Sequence, residues 1–209
     1  MSSQDDARPE PTADQLDDAI AALERGGVAF LPTDTIYGLH ALATSAEGVD
    51  RIVELKGRGE EKPFVVIGAS LEQLETLGVD FRPDVRQFLV SVWPAPLTAI
   101  LPLRLPVAAA RGAATLAVRV PALPWLRSLL ERTGPLASTS ANRSGEPPVS
   151  RPEDLASGLQ KGVDSTVSLG LYIGEPSAIV DFTGDDPRVI RDTRNFFTQN
   201  LWKTQRKSL

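Results

Sequence analysis

The sequence predicts an α/β domain built on a twisted, mixed parallel and antiparallel sheet with flanking helices. Three observations predict it. Helical patterns alternate with short apolar strands, and several strands follow one another with no helix between them. Polar loops stand directly after strands, where open α/β sheets place ligands.

Residues 1–11, rich in Ser, Asp and Pro, read as a disordered lead-in to a domain over 12–194. Thr12 with Gln15 forms a capping-box pattern, and Leu16, Ile20 and Leu23 follow at helical spacing until Gly26-Gly27. Val28 to Leu31 reads as a strand entering a polar loop, PTDTIYGL (Pro32 to Leu39). Thr44 with Glu47 predicts a second helix whose Val49, Ile52 and Val53 share a face with Lys56. Phe64 to Ile67 reads as a buried strand, Ser70 with Gln73 as a short helix start, and Pro83 as the first turn of another. Strands are expected at Thr98 to Leu103 and Thr115 to Val120, the latter with Leu116, Val118 and Val120 on one face. A helix over about Leu123 to Arg132 precedes a strand, Pro135 to Ser138, that runs into STSANRSGEPP. Ala178 to Phe182 and Arg188 to Arg191 complete the sheet. Residues 195–209 read as a solvated tail or an amphipathic final helix using Phe197, Leu201 and Trp202.

Composition narrows the chemistry. The 209 residues are 42% hydrophobic and 23% charged, which suits a single globular domain. The absence of cysteine excludes disulfides, thiolate metal sites and cysteine nucleophiles. A single histidine, His40, excludes a multi-histidine metal site, and no G-x-S-x-G elbow accompanies it. Neither a P-loop nor a dinucleotide-binding glycine pattern is present, so any nucleotide must be held by scattered cations. A net charge of −5 argues against a sequence-independent nucleic-acid binder, although Arg194, Lys203, Arg206 and Lys207 make the tail basic. The start lacks an apolar signal region and no apolar run nears the length of a membrane span, so a cytoplasmic protein is expected.

Four segments carry candidate chemistry, each with a structural alternative. KGRGEEKP places Lys56, Arg58 and Lys62 between a helix end and a strand; they serve the helix dipole or clamp a polyphosphate. PTDTIYGL is either a self-bonded turn or a substrate-orienting loop, with Thr35 on a polar ligand and Tyr37 beside it. STSAN (Ser138 to Asn142) caps a turn or cradles a nucleotide with small hydrogen-bonding groups. Arg119, inside the apolar strand AVRVP, is either paired in a salt bridge or turned to an anion in a cleft.

In this order and spacing, PTDTIYGL, KGR with KPF downstream, WPAPLTAIL, AVRVP, STSANRSGEPP and PSAIVD…VIR resemble the YrdC-like family of threonylcarbamoyl-AMP synthases. The resemblance runs from about Leu16 to Arg191 and implies a concave, cation-lined ligand cleft on the predicted sheet. It implies formation of threonylcarbamoyl-AMP and diphosphate from L-threonine, bicarbonate and ATP, with Mg2+ accompanying the phosphates. Downstream enzymes would transfer the product to tRNA, and the basic tail leaves weak tRNA binding open. By resemblance, Lys56 and Arg58 are the catalytic pair on the ATP phosphates, and Lys62, Thr115, Asn142, Ser150 and Arg191 are further nucleotide contacts. Thr35, Arg119, Ser140 and Ser177 would contact L-threonine, Arg119 through its carboxylate.

The chain departs from the family pattern at Ile67, where longer relatives place histidine, and at Ala95, where glycine is usual. Ala178 replaces a threonine after Ser177, and Asp192 follows Arg191. The lack of a further C-terminal domain resembles the short, stand-alone form. A non-catalytic RNA-binding or regulatory relative is the alternative, and the intact Lys56 and Arg58 favour the enzyme. Hydrogenase-maturation relatives carry zinc-binding cysteines, which this sequence lacks.

Overall fold

A computed structural model describes residues 9–57, 63–142, 146–172 and 174–197. Helix α1 (Ala13–Glu24) starts on the expected capping box. Thr12 Oγ1 accepts from Gln15 N at 3.2 Å and Gln15 Oε1 accepts from Thr12 N at 3.0 Å, so each residue satisfies the other's amide. Helix α2 (Ala46–Lys56) is capped one residue later than expected, by Ser45, whose hydroxyl accepts from Gly48 N at 3.1 Å. Thr44 and Ser45 are chemically equivalent caps, and the choice turns Val49, Ile52, Val53 and Lys56 inward. Gly57, left-handed at φ 56°, ends the helix.

The two strands nearest the site differ from expectation, and β7 (Ser165–Thr166) is not among the expected strands. After β1 (Ala29–Pro32) only four residues turn, and Tyr37 opens a strand, β2 (Tyr37–Leu42), where a loop to Leu39 is expected. Tyr37 to Ala41 are all buried, so GLHAL carries no alternation of buried and exposed residues to announce it. Strand β6 (Leu136–Ser140) outlasts its expected end at Ser138, because β2 offers it Gly38 opposite Ser140 and Leu39 opposite Thr139. The remaining elements are β3 (Val65–Ile67), α3 (Leu71–Glu75), α4 (Pro83–Val92), β4 (Leu97–Pro102), β5 (Thr115–Arg119), α5 (Pro124–Thr133), α6 (Ser157–Gln160), β7 (Ser165–Thr166), β8 (Ala178–Asp181) and β9 (Arg188–Arg191).

The strands form one sheet in the order β7-β1-β2-β6-β3-β5-β4-β8-β9. The pairs β1–β7, β3–β5 and β4–β8 are parallel and the others antiparallel. On one face α2, α3 and α4 bury Val49, Ile52, Leu74, Phe88 and Leu89 against Leu39, Val66, Val118 and Leu97. On the other, α1 and α5 bury Ile20, Leu23, Leu126 and Leu130 against Ala29, Leu31, Ile67 and Leu136. That second cover is partial. Cross-strand register puts Gly38, Ser138, Ser140, Val65, Arg119 and Ile179 on the same face as Ile67 and Leu136, beyond the reach of the two helices. A polar strip of sheet is left facing open space. No helix among the described residues is long and apolar enough to cross a membrane.

Candidate active site

The uncovered strip floors a cavity of about 380 Å³. Val65, Gly38, Ser138 and Ser140 form its base, the turn after β1 contributes Thr33 and Thr35, and Ser177, Ile179 and Arg191 close the far side. A Cβ on Gly38 would stand 2.7 Å from His40 Nε2 and 2.9 Å from Thr139 O, so glycine alone keeps that part of the floor flat.

The PTDT turn is held by its own first hydroxyl. Thr33 Oγ1 donates to Ile36 O at 2.9 Å and accepts from the amides of Thr35 at 3.2 Å and Ile36 at 3.3 Å. Between the two threonines, Asp34 points across the sheet to Arg119 and forms an ion pair with it, each side chain 4% exposed. The second carboxylate oxygen of Asp34 accepts from Ala122 N at 3.0 Å, tying the turn to the end of β5. Arg119 is therefore salt-bridged, one of its two expected roles, and it also lines the cavity. Its Nε is buried with no hydrogen-bond partner among the described residues.

Lys56 reaches the site from below. Buried at the end of α2, its ammonium donates to the carbonyls of Ser140 and Asn142, the latter at 2.6 Å, and to Asn142 Oδ1 at 3.4 Å. It braces the STSAN segment and does not stand on the cavity wall. Asn142 Nδ2 in turn donates to Glu146 O at 2.6 Å. Ser177 Oγ lies 2.8 Å from the fully buried hydroxyl of Thr98, and its carbonyl accepts from Arg191 Nε at 2.8 Å. Burial first, and then the Arg119 charge, hold the Arg191 guanidinium below its ordinary pKa.

Of the residues expected in the site, Thr35, Arg119, Ser140, Asn142, Ser177 and Arg191 meet around this one cavity. Arg58 and Lys62 lie outside the described residues. Thr115, at the opposite end of β5 from Arg119, and Ser150, whose carbonyl accepts from Tyr172 N at 2.8 Å, are not on the cavity wall. Tyr37 is not beside a ligand as expected. Strand alternation turns it to the covered face, where it stacks on Phe30 with centroids 4.8 Å apart. Its hydroxyl donates to Gly170 O and accepts from Leu169 N, both at 3.0 Å. Thr33 makes the self-bonded turn that is one expectation for PTDTIYGL, whereas the distant partner of Asp34 and the places of Gly38 and Thr98 are not visible in the sequence. A carboxylate inside a hydroxyl-rich turn, with one arginine in a distant apolar strand, is the signal that could have found Asp34.

Comparison with known proteins agrees with this fold. The family model Sua5/YciO/YrdC, described as "Telomere recombination", matches residues 21–193. The chain belongs to the Sua5/YciO/YrdC family. A threonylcarbamoyl-AMP synthase of Bacillus subtilis is 34% identical over 182 residues, covering 85% of this chain and 53% of that protein. The threonylcarbamoyl-AMP synthase of Xanthomonas axonopodis pv. citri is 36% identical over 185 residues, covering 86% of this chain and 94% of that protein. Among solved structures, Sua5 of P. abyssi complexed with L-threonine aligns with a TM-score of 0.79 at 32% identity, over 85% of this chain and 53% of that one. The chain thus spans about half the length of the Bacillus and Pyrococcus relatives and nearly all of the Xanthomonas one.

In this Sua5/YciO/YrdC member the departures have local accounts. Ile67 is fully buried between α5 and the sheet, away from the cavity wall. Ala95 sits in the turn without a left-handed φ, its amide donating to Val120 O at 3.0 Å, so the turn does not demand glycine. Ala178 is buried at the start of β8. Asp192 precedes the turn that follows β9, and its carboxylate accepts from Phe197 N at 2.8 Å.

Proposed function

We propose that the chain is an L-threonylcarbamoyladenylate synthase, joining L-threonine, bicarbonate and the Mg2+ complex of ATP. The observation that carries this reading is the convergence of Thr35, Arg119, Ser140, Asn142, Ser177 and Arg191 on one cavity. The similarity to named threonylcarbamoyl-AMP synthases supports it. Arg119 receives the threonine carboxylate on the guanidinium edge not taken by Asp34. Threonine's amine combines with bicarbonate, losing water, to give an N-carboxylate. One carboxylate oxygen attacks the α-phosphorus of ATP, the bond to the bridging oxygen breaks, and diphosphate leaves. No protein nucleophile takes part; the protein positions reactants and stabilises charge. Asn142 and Arg191 hold the nucleotide end, with Arg58 and Lys62 on the phosphates, and a nucleotide extending beyond the wall reaches Ser150 and Thr115. Lys56 acts on the phosphates through the STSAN segment that it holds. The product passes to enzymes that place it on tRNA.

The test is diphosphate release by purified protein given ATP, Mg2+ and bicarbonate, with and without L-threonine. Release that requires both threonine and bicarbonate is expected. Release indifferent to threonine, or RNA binding without any release, would overturn the synthase reading.

A further inference from the structure

A second cleft, of about 220 Å³, opens where β3 and β5 end, between α3, the last turn of α4 and α5. Leu71, Leu89, Trp93 and Val120 give it apolar walls, and Val90 beside them is 55% exposed. Its polar side chains are matched within the fold, with one exception. The Trp93 indole N–H donates to Leu97 O at 2.7 Å, which leaves the ring as the surface that it offers. Ser70 Oγ accepts from Gln73 N at 3.2 Å, and the Glu72 carboxylate pairs with Arg86 at 3.0 Å. Arg127, from α5, is the exception. Its guanidinium makes no hydrogen bond or ion pair with another described residue, and its Nε is buried. A buried N–H with no acceptor is costly, and an anion in the cleft would be the acceptor that the fold does not supply.

We propose that this cleft is a binding site for a small carboxylate with an aromatic or branched apolar body, separate from the synthase cavity. The charge selects an anion, because Glu72, the one acid on the wall, is already neutralised by Arg86. A carboxylate offers the planar guanidinium two acceptors at once. The walls select the body: a ring or branched chain against Trp93 and Leu71 removes apolar surface from water, that of Val90 included. The volume lies below the range usual for drug-sized ligands, so one ring suits it and a nucleotide does not. The amides of Gly68 and Ala95, next to the cleft, donate to the carbonyls of Arg119 and Val120, each at 3.0 Å. The cleft therefore adjoins the end of β5, yet it shares no lining residue with the synthase cavity. The inference stands independently of the synthase reading.

The test is titration of the full chain with phenylacetate, followed by amide chemical shifts so that millimolar affinities are read. The amides of Ala69, Glu72, Trp93 and Val120 should move, and equally so with L-threonine at saturation. Arg127→Gln should weaken binding about tenfold, the size of one charge-assisted hydrogen bond. It should not lower the unfolding midpoint, since the guanidinium holds no other described residue. Val90→Asp, at an exposed position, should weaken binding by repulsion. Uncharged 2-phenylethanol, and acetate with no apolar body, should each bind the wild type at least as weakly as phenylacetate binds Arg127→Gln. Shifts at Thr35 and Ser177 that L-threonine abolishes would place the anion in the synthase cavity and overturn the proposal. Unchanged affinity in Arg127→Gln overturns it too, as does the absence of any shift around the cleft. A wild type that binds phenylacetate at the cleft and no threonine overturns the synthase reading and leaves this one standing.

Discussion

Asp34 and Arg119 show how a single pair can serve both fold and site. Each side chain is 4% exposed, so neither charge is cheaply left alone. Asp34→Ala strands a buried guanidinium and should cost about 3–5 kcal/mol, read by urea unfolding. Asp34→Asn keeps an acceptor for Arg119 and should cost less, while raising the apparent KM for threonine and leaving that for ATP unchanged. His40 supplies a second residue-scale test. Its ring is fully buried on β2, and neither nitrogen makes a well-formed hydrogen bond among the described residues. Burial, and after it the Arg119 charge, push its pKa down to about 3 against the opposing influence of the Leu31 backbone. The unfolded chain takes up this proton near its ordinary pKa of about 6.5 and the folded chain does not, so stability falls as pH drops below that value. The fall continues until the folded pKa is reached, at up to about 1.4 kcal/mol per pH unit. His40→Leu should flatten this acid slope by one proton in unfolding measured across that window. An unchanged slope would mean that His40 titrates normally in the folded protein.

The elements that build the site are β2 and β6, and their close pairing depends on Gly38. Gly38→Ala places a methyl 2.7 Å from His40 Nε2 and 2.9 Å from the Thr139 carbonyl, so the two strands must part or the imidazole must move. We expect a loss of about 1–3 kcal/mol in thermal or urea unfolding. Because the same methyl rises into the cavity floor, threonine-dependent diphosphate release should drop about tenfold or more. Gly184→Ala is the control: its added carbon meets nothing closer than 3.8 Å, so it should leave both readouts unchanged. The reason β2 is illegible in the sequence is the reason it matters. A strand buried along nearly its whole length has no alternation of buried and exposed residues, and its glycine and histidine resemble loop residues until the neighbouring strand is in place. The helices were legible because their caps are local: Thr12, Ser70 and Pro83 each act within one turn.

At the scale of the whole molecule, the helical cover of the sheet is complete on one face and partial on the other, and the open part is the site. The closing residues of the described chain return to the covered face. Phe197 is 2% exposed and packs against Phe88 and Phe182, with centroids 5.6 Å and 6.1 Å away. It anchors the segment after β9 on α4 and β8, next to the Ser177–Arg191 contact. Phe197→Ala should destabilise the protein by about 3–5 kcal/mol in urea unfolding. A change within about 0.5 kcal/mol would show that this segment is not held in the core.

By itself the sequence determined the α/β class, most of the helices, the late strands and six of the side chains that line the cavity. Hydrophobic periodicity and capping act over a few residues, and the motif order ties Thr35, Arg119, Ser140, Asn142, Ser177 and Arg191 to one family. Tertiary structure alone decided that β2 is a strand, that Lys56 turns inward to carbonyl oxygens, and that Asp34 finds Arg119 from 85 residues away in the chain. These depend on which groups become neighbours across the sheet, and a buried polar atom takes its role from the partner that folding brings to it.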